Sequence, residues 1–143
     1  MGELYEADVL EWSERQARLL RQHAAGDRLN EKPDWPNIAE EIEAVGRSER
    51  HAVEGNLIQA LLHMLKAEVW PLSGEVPHWQ AEARGFRRNA ARRCTASMRN
   101  KIDVADLYAD ALYRMPDTID GQPPMPVPAT CPVTLAELLE VEA

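Results

Sequence analysis

Two cysteines, Cys94 and Cys131, are a poor basis for a disulfide framework. The chain opens on the polar Met-Gly-Glu-Leu-Tyr-Glu, without a charged start followed by an apolar run. A reduced, cytoplasmic setting is therefore the expectation. No window approaches the ~18 uninterrupted apolar residues that a membrane span requires. The densest, Leu57 to Leu65, contains Gln59 and His63. Strand alternation, internal repeats and low-complexity tracts are missing. So are a phosphate-cradling glycine loop, a cysteine pair at zinc spacing, and a serine or cysteine nucleophile in a recognisable turn. These absences set membrane insertion aside, leave no motif that dictates a reaction, and give no reason to expect a metal or another cofactor. Positive charge is also scarce. A formal net charge of −8 favours solubility and argues against general nucleic-acid binding, which needs an excess of Lys and Arg to neutralise phosphates.

That average conceals a segregated pattern. Residues 1–60 carry thirteen acids against seven bases, and residues 102–143 carry eight against one. Between them, residues 82–101 carry seven bases against Glu82 alone. Either this basic segment packs beside acidic neighbours or forms a solvated face, or it offers an exposed strip to an acidic partner.

At 143 residues the chain fits one domain, able to bury roughly two thirds of its unfolded surface. Its pattern predicts an all-α, antiparallel helical bundle over residues 1–143. From Leu4 to about Ala25, Tyr5, Val9, Trp12, Leu19 and Leu20 recur near helical spacing, with Gly26 as a stop. A polar connection, Asp27 to Pro33, leads to Asp34 and Trp35 ahead of Pro36, a proline suited to a first helical turn.

The second helix is expected from about Pro36 to Trp70, ending before Pro71, with Gly46 its weak point. Ile38, Ile42 and Val45 form one stripe opposite the charged Glu40, Glu43, Arg47, Arg50 and Glu54. Past residue 56 the apolar face widens over Leu57, Ile58, Leu61, Leu62, Met64 and Leu65. A helix apolar nearly all round must be surrounded by others, which makes this the long central helix. A basic third helix is expected from His78 to about Ser97, and a short fourth from Asp103 to Met115. Residues 116–132, with six prolines and Gly121, read as an extended segment lying on the surface. Thr134 then caps a last turn, Leu135 to Leu139.

Along one side of the central helix, Ile42, Glu49, Asn56, His63 and Trp70 recur every seven residues, so three successive members of an apolar stripe are polar. Buried polar groups need partners. Arginines of the third helix or a tyrosine hydroxyl would complete a network that fixes helix register. Alternatively, Gly46 breaks the helix and turns Glu49 to solvent. A third reading makes Glu49 and His63 an acid–base pair or metal site inside the bundle. The metal version lacks the Glu-x-x-His pairs, repeated on two helices, that di-metal bundles show.

The stretch Trp35 to Lys66, W-P-N-I-A-E-E-I-E-A-V-G-R-S-E-R followed by L-I-Q-A-L-L-H-M-L-K, resembles the bacterial family known as domain of unknown function 29. The likeness extends to Tyr5-Glu-x-Asp8, Trp79, the arginines around Arg87, and Cys131-Pro132 followed by Leu135, covering nearly the whole chain. It implies a stand-alone helical domain without an established activity. Its signature falls on Glu40, Glu41, Glu43, Gly46, Arg47, Glu49, His63 and Lys66. From Leu72 to Val76 the chain departs from the more basic and aromatic run that the resemblance implies.

The leading expectation is a non-enzymatic binding domain that engages an unidentified protein or a second copy of itself. Its candidate binding residues are Arg47, Lys66, Arg84, Arg87, Arg88, Arg92 and Arg93. A small metal-dependent or acid–base enzyme using Glu49 and His63, and nucleic-acid contact through the basic helix, are the alternatives.

Overall fold

A computed structural model describes residues 2–28 and 30–140. Met1, Leu29 in the connection after the first helices, and residues 141–143 lie outside the described residues. The described chain is helical without a strand, in the order α1 (Gly2–Ala7), α2 (Val9–Ala24), α3 (Trp35–Val69), α4 (Val76–Arg93), α5 (Ala96–Arg99), α6 (Val104–Tyr113) and α7 (Leu135–Leu139). The sequence pattern draws one domain; the residues pack as two compact units, 1–48 and 49–143, with α3 running through the boundary.

In the first unit, the expected single opening helix is divided at Asp8. Its extended backbone and side chain, which accepts the Glu11 N–H, start α2 afresh. The inward face of α2 presents Trp12, Gln16 and Leu19. Gln16 is the unexpected member, a polar side chain only 3 % exposed. It is satisfied because its Oε1 accepts the backbone N–H of Asp34 at 2.7 Å. Asp34 is itself buried, 6 % exposed, and its Oδ2 accepts from the Trp12 indole at 3.1 Å and the Asn37 amide at 2.8 Å. These hydrogen bonds hold the Asp34 carboxyl below the usual carboxylate range, the Asn37 side chain contributing most and Trp12 adding to it, against an opposing effect of burial. Asp34 therefore does two jobs. It starts α3 and closes the polar heart of this unit.

The stripe Ile38, Ile42 and Val45 is only partly an inward one. Ile38 is buried, but Ile42 and Val45 are 69 % and 65 % exposed. Periodicity identifies an apolar stripe; it does not supply a neighbour to cover it. Gly46 does not break α3, which is continuous from Trp35 to Val69.

The second unit holds the larger core. Val53, Leu57, Ile58, Leu61, Leu62 and Leu65 of α3 are buried against Ala90 of α4, Leu107, Tyr108 and Ala111 of α6, and Leu138 and Leu139 of α7. This is the all-round burial that the apolar second half of the helix demands. A smaller cluster joins Val69, Trp70 and Trp79. The basic helix begins two residues earlier than the pattern suggests, at Val76, with Pro77 in its first turn. It ends at Arg93, and Thr95 caps the separate turn α5 by accepting from Met98 N. Asp103 caps α6.

Residues 116–132 form no regular helix or strand and are fastened at three points. Trp70 Nε1 donates to the Gln122 carbonyl, Met125 N to the Val69 carbonyl, and Tyr108 Oη to the Pro128 carbonyl. Their one tight turn uses Asp120 and Gly121, at φ +54° and +73°, between the bridged Ile119 and Gln122. An Asp-Gly pair suits that left-handed geometry. Thr134 and Glu137 then form a reciprocal capping box at α7.

Candidate functional site

The polar ladder of α3 does not come together as one network. Asn56 Nδ2 donates to Ala52 O at 3.0 Å, and His63 Nδ1 lies 2.7 Å from Gln59 O, both one turn back on their own helix. A carbonyl only accepts, so His63 Nδ1 carries the proton. The imidazole is half-buried with its ring 5.4 Å from that of Phe86. Glu49 is exposed although α3 is unbroken. Fourteen residues of helix put it ~21 Å from His63 along the axis. The arrangement does not bring Glu49 and His63 together. Among the described residues no group of three or more His, Cys, Asp or Glu side chains is placed to hold a metal ion.

The other signature positions take up local partners. Tyr5 Oη donates to Glu41, and that bond is the main reason the phenol pKa is raised. Arg47 meets Glu40 at 2.7 Å and Glu43 at 3.8 Å. Lys66 Nζ stands 5.9 Å from the centre of the Trp79 ring, a cation–π contact.

On α4 the arginines separate by direction. Arg87 turns toward α7, donating through Nε to Leu138 O at 3.1 Å and through one terminal nitrogen to Glu137 O and Glu140 O, each at 2.8 Å. The guanidinium therefore sits where the carbonyls at the end of α7 concentrate partial negative charge. Arg84, Arg88, Arg92 and Arg93 are exposed. Arg84, Arg88 and Arg92 follow one another at four-residue spacing, opposite the buried Trp79, Ala83 and Ala90, in a stripe ~12 Å long. Among the described residues, the ion pairs are made by Arg15, Arg47, Arg50 and Arg114; none involves an arginine of α4.

Beside this stripe, α3 and α4 enclose an open cleft of about 550 Å³. Met64, Ala67 and Glu68 line it from α3, and Gln80, Ala83, Arg84 and Arg87 from α4. Met64 and Glu68 also border a smaller compartment of about 160 Å³, whose other walls include Leu61, Leu65, Tyr108 and Val133. Glu68 thus lines both spaces. The Tyr108 phenol is pushed up chiefly by burial, with Cys131 and Glu68 adding to the effect. Sequence reading picked out Arg84 and Arg87 but missed Glu68 and Gln80. The available signal was a carboxylate one turn beyond Met64, near the end of the apolar half of α3 and two residues from Lys66.

The family model described as "Domain of unknown function DUF29" matches residues 4–142. Among solved structures, an α-helical protein of unknown function from Rhodospirillum rubrum is similar, at 25% identity and a TM-score of 0.69. The match covers 95% of this chain and 89% of that one. No curated protein matches the chain.

Proposed function

Because the chain belongs to the DUF29 family, whose description assigns no activity, we propose a function from its own geometry: a non-enzymatic binding module whose α4 arginine stripe docks an acidic segment of a partner protein. The observation that carries this reading is the exposed series Arg84, Arg88 and Arg92, which makes no ion pair among the described residues. Like charges four residues apart on a helix cost roughly 0.2–0.5 kcal/mol per pair. No carboxylate of the described residues forms an ion pair with them, whereas Arg47, Arg50 and Arg114 each sit beside one. A partner with acids at matching spacing supplies the missing charge.

The setting we propose is the reduced cytoplasm of a bacterium, in keeping with two free thiols, Cys94 and Cys131. No helix of the described residues is long and apolar enough to cross a membrane.

The test is a titration with a fluorescein-labelled helical peptide carrying Glu at every fourth position, competed by duplex DNA of equal charge. Binding of the peptide should be saturable and should weaken on raising salt from about 50 to about 300 mM. If duplex DNA displaces the peptide at lower concentration than unlabelled peptide does, the surface is a nucleic-acid site and the proposal fails. Sedimentation of the protein alone covers the remaining occupant. A dimer that dissociates with salt and excludes the peptide would assign the stripe to a second copy, whose residues 1–60 are acid-rich.

A further inference from the structure

Opposite charges on neighbouring helices usually close on each other. Glu68 and Arg84 line the same cleft, one from α3 and one from α4, yet form no ion pair. Arg87, on the same wall, has its Nε and one terminal nitrogen committed to α7; its Nη1 has no partner among the described residues. The cleft therefore offers an acceptor carboxylate, two guanidinium groups with unused donors, and the Gln80 amide. Met64 and Glu68 also line the smaller compartment walled by Leu61, Leu65 and Val133.

From this placement we infer that the cleft between α3 and α4 binds a free L-α-amino acid with an apolar side chain. Its ammonium group meets Glu68, its carboxylate meets Arg84 and the open edge of Arg87, and its side chain enters the apolar compartment. The chemistry favours a zwitterion over either half of it. A simple anion brings its charge near Glu68, and a simple amine brings its charge near the arginines. A ligand with both groups on one carbon satisfies each side at once. Guanidinium–carboxylate contacts are charge-assisted and take two parallel hydrogen bonds, so they fix orientation as well as affinity. Burial of an aliphatic side chain then adds affinity that grows with each CH₂ removed from water. The acidic-partner reading shares Arg84 with this cleft but also uses Arg88 and Arg92, which lie outside its lining, so reversal at Arg88 and Arg92 tests it separately.

Isothermal titration of the full chain with L-leucine, L-isoleucine, L-methionine and L-phenylalanine tests it. 4-Methylpentanoate, which lacks the amine, and isopentylamine, which lacks the carboxylate, serve as the half-ligands. At least one of the four amino acids should bind saturably. Each half-ligand should bind leucine's site more weakly than leucine, or, where another amino acid binds best, the matching deaminated and decarboxylated analogues should do so. Glu68→Gln and Arg84→Gln should each weaken binding roughly tenfold or more, the scale of one charge-assisted hydrogen bond. Both side chains are on exposed residues, so the variants should retain wild-type helicity and melting, which circular dichroism checks. Absence of heat with all four amino acids at millimolar concentration overturns the inference. Undiminished affinity in either folded variant, or for either half-ligand, does the same.

Discussion

Arg87 on α4 donates its Nε proton to the carbonyl oxygen of Leu138 on α7 at 3.1 Å, and its neighbouring nitrogen bridges Glu137 O and Glu140 O. One arginine of the basic helix is thereby spent on folding. Arg84, Arg88 and Arg92 are exposed and form no ion pair among the described residues. The strip of like charge thus contains one structural clasp, at Arg87, and three exposed arginines.

Arg87→Ala should therefore destabilise the second unit by about 1–3 kcal/mol, through carbonyls left without their cationic donor. The loss should be largest at α7, where Leu138 and Leu139 plug the core. Amide exchange that accelerates at residues 137–140 before the rest of the unit is the expected pattern. Uniform protection equal to wild type would remove Arg87 from this role.

Acid should loosen the first unit by a route that passes through Asp34. Its folded pKa lies below its ordinary value, so its contribution is fully present above the unfolded pKa of about 3.9 and is lost as pH falls through the folded value. Asp34→Asn should lower stability at neutral pH while flattening its dependence below about pH 4. Amide exchange along α2, followed against pH in both proteins, separates this from general acid unfolding. An unchanged acid limb in the variant would mean another carboxylate controls it.

For His63, the expected effect is structural. His63→Ala gives up the bond to Gln59 O and the ring contact with Phe86, and should cost about 1 kcal/mol. A melting temperature equal to wild type would contradict it. Leu57→Ala gives the scale for comparison. Leu57 is fully buried, so about 2–5 kcal/mol is expected from lost transfer energy and the cavity left behind.

These side chains also mark how far the sequence was legible. The second half of α3 was readable because Leu57, Ile58, Leu61, Leu62 and Leu65 leave no polar side for water, and burial is the one physical solution. Asp103 and Thr134 were readable because a helix cap is a local hydrogen bond. The division at Asp8 was not, since one residue interrupts an otherwise unbroken helical period. Nor was the exposure of Ile42 and Val45, because a stripe carries no information about the neighbour that would cover it. Glu49, Asn56 and His63 looked like one cluster on the wheel. Asn56 and His63 each find a carbonyl one turn back, and Glu49 faces solvent. The cleft was half legible. Arg84 and Arg87 stood out by charge, while Glu68 lies sixteen residues from Arg84 on another helix, and only folding brings them to one space.

The measurement closest to the central proposal is the anisotropy titration of the acidic helical peptide against wild type and the double variant Arg88→Glu/Arg92→Glu. Reversal on an exposed face should leave melting little changed, since it turns the repulsion between positions 84 and 88 into an attraction while positions 88 and 92 stay like-charged and the last turn of α4 disfavours acids. Peptide affinity should fall by at least roughly tenfold at low salt, with little difference between the two proteins at high salt. Equal affinity for the peptide in wild type and the folded variant at low salt would contradict a binding function for the α4 stripe.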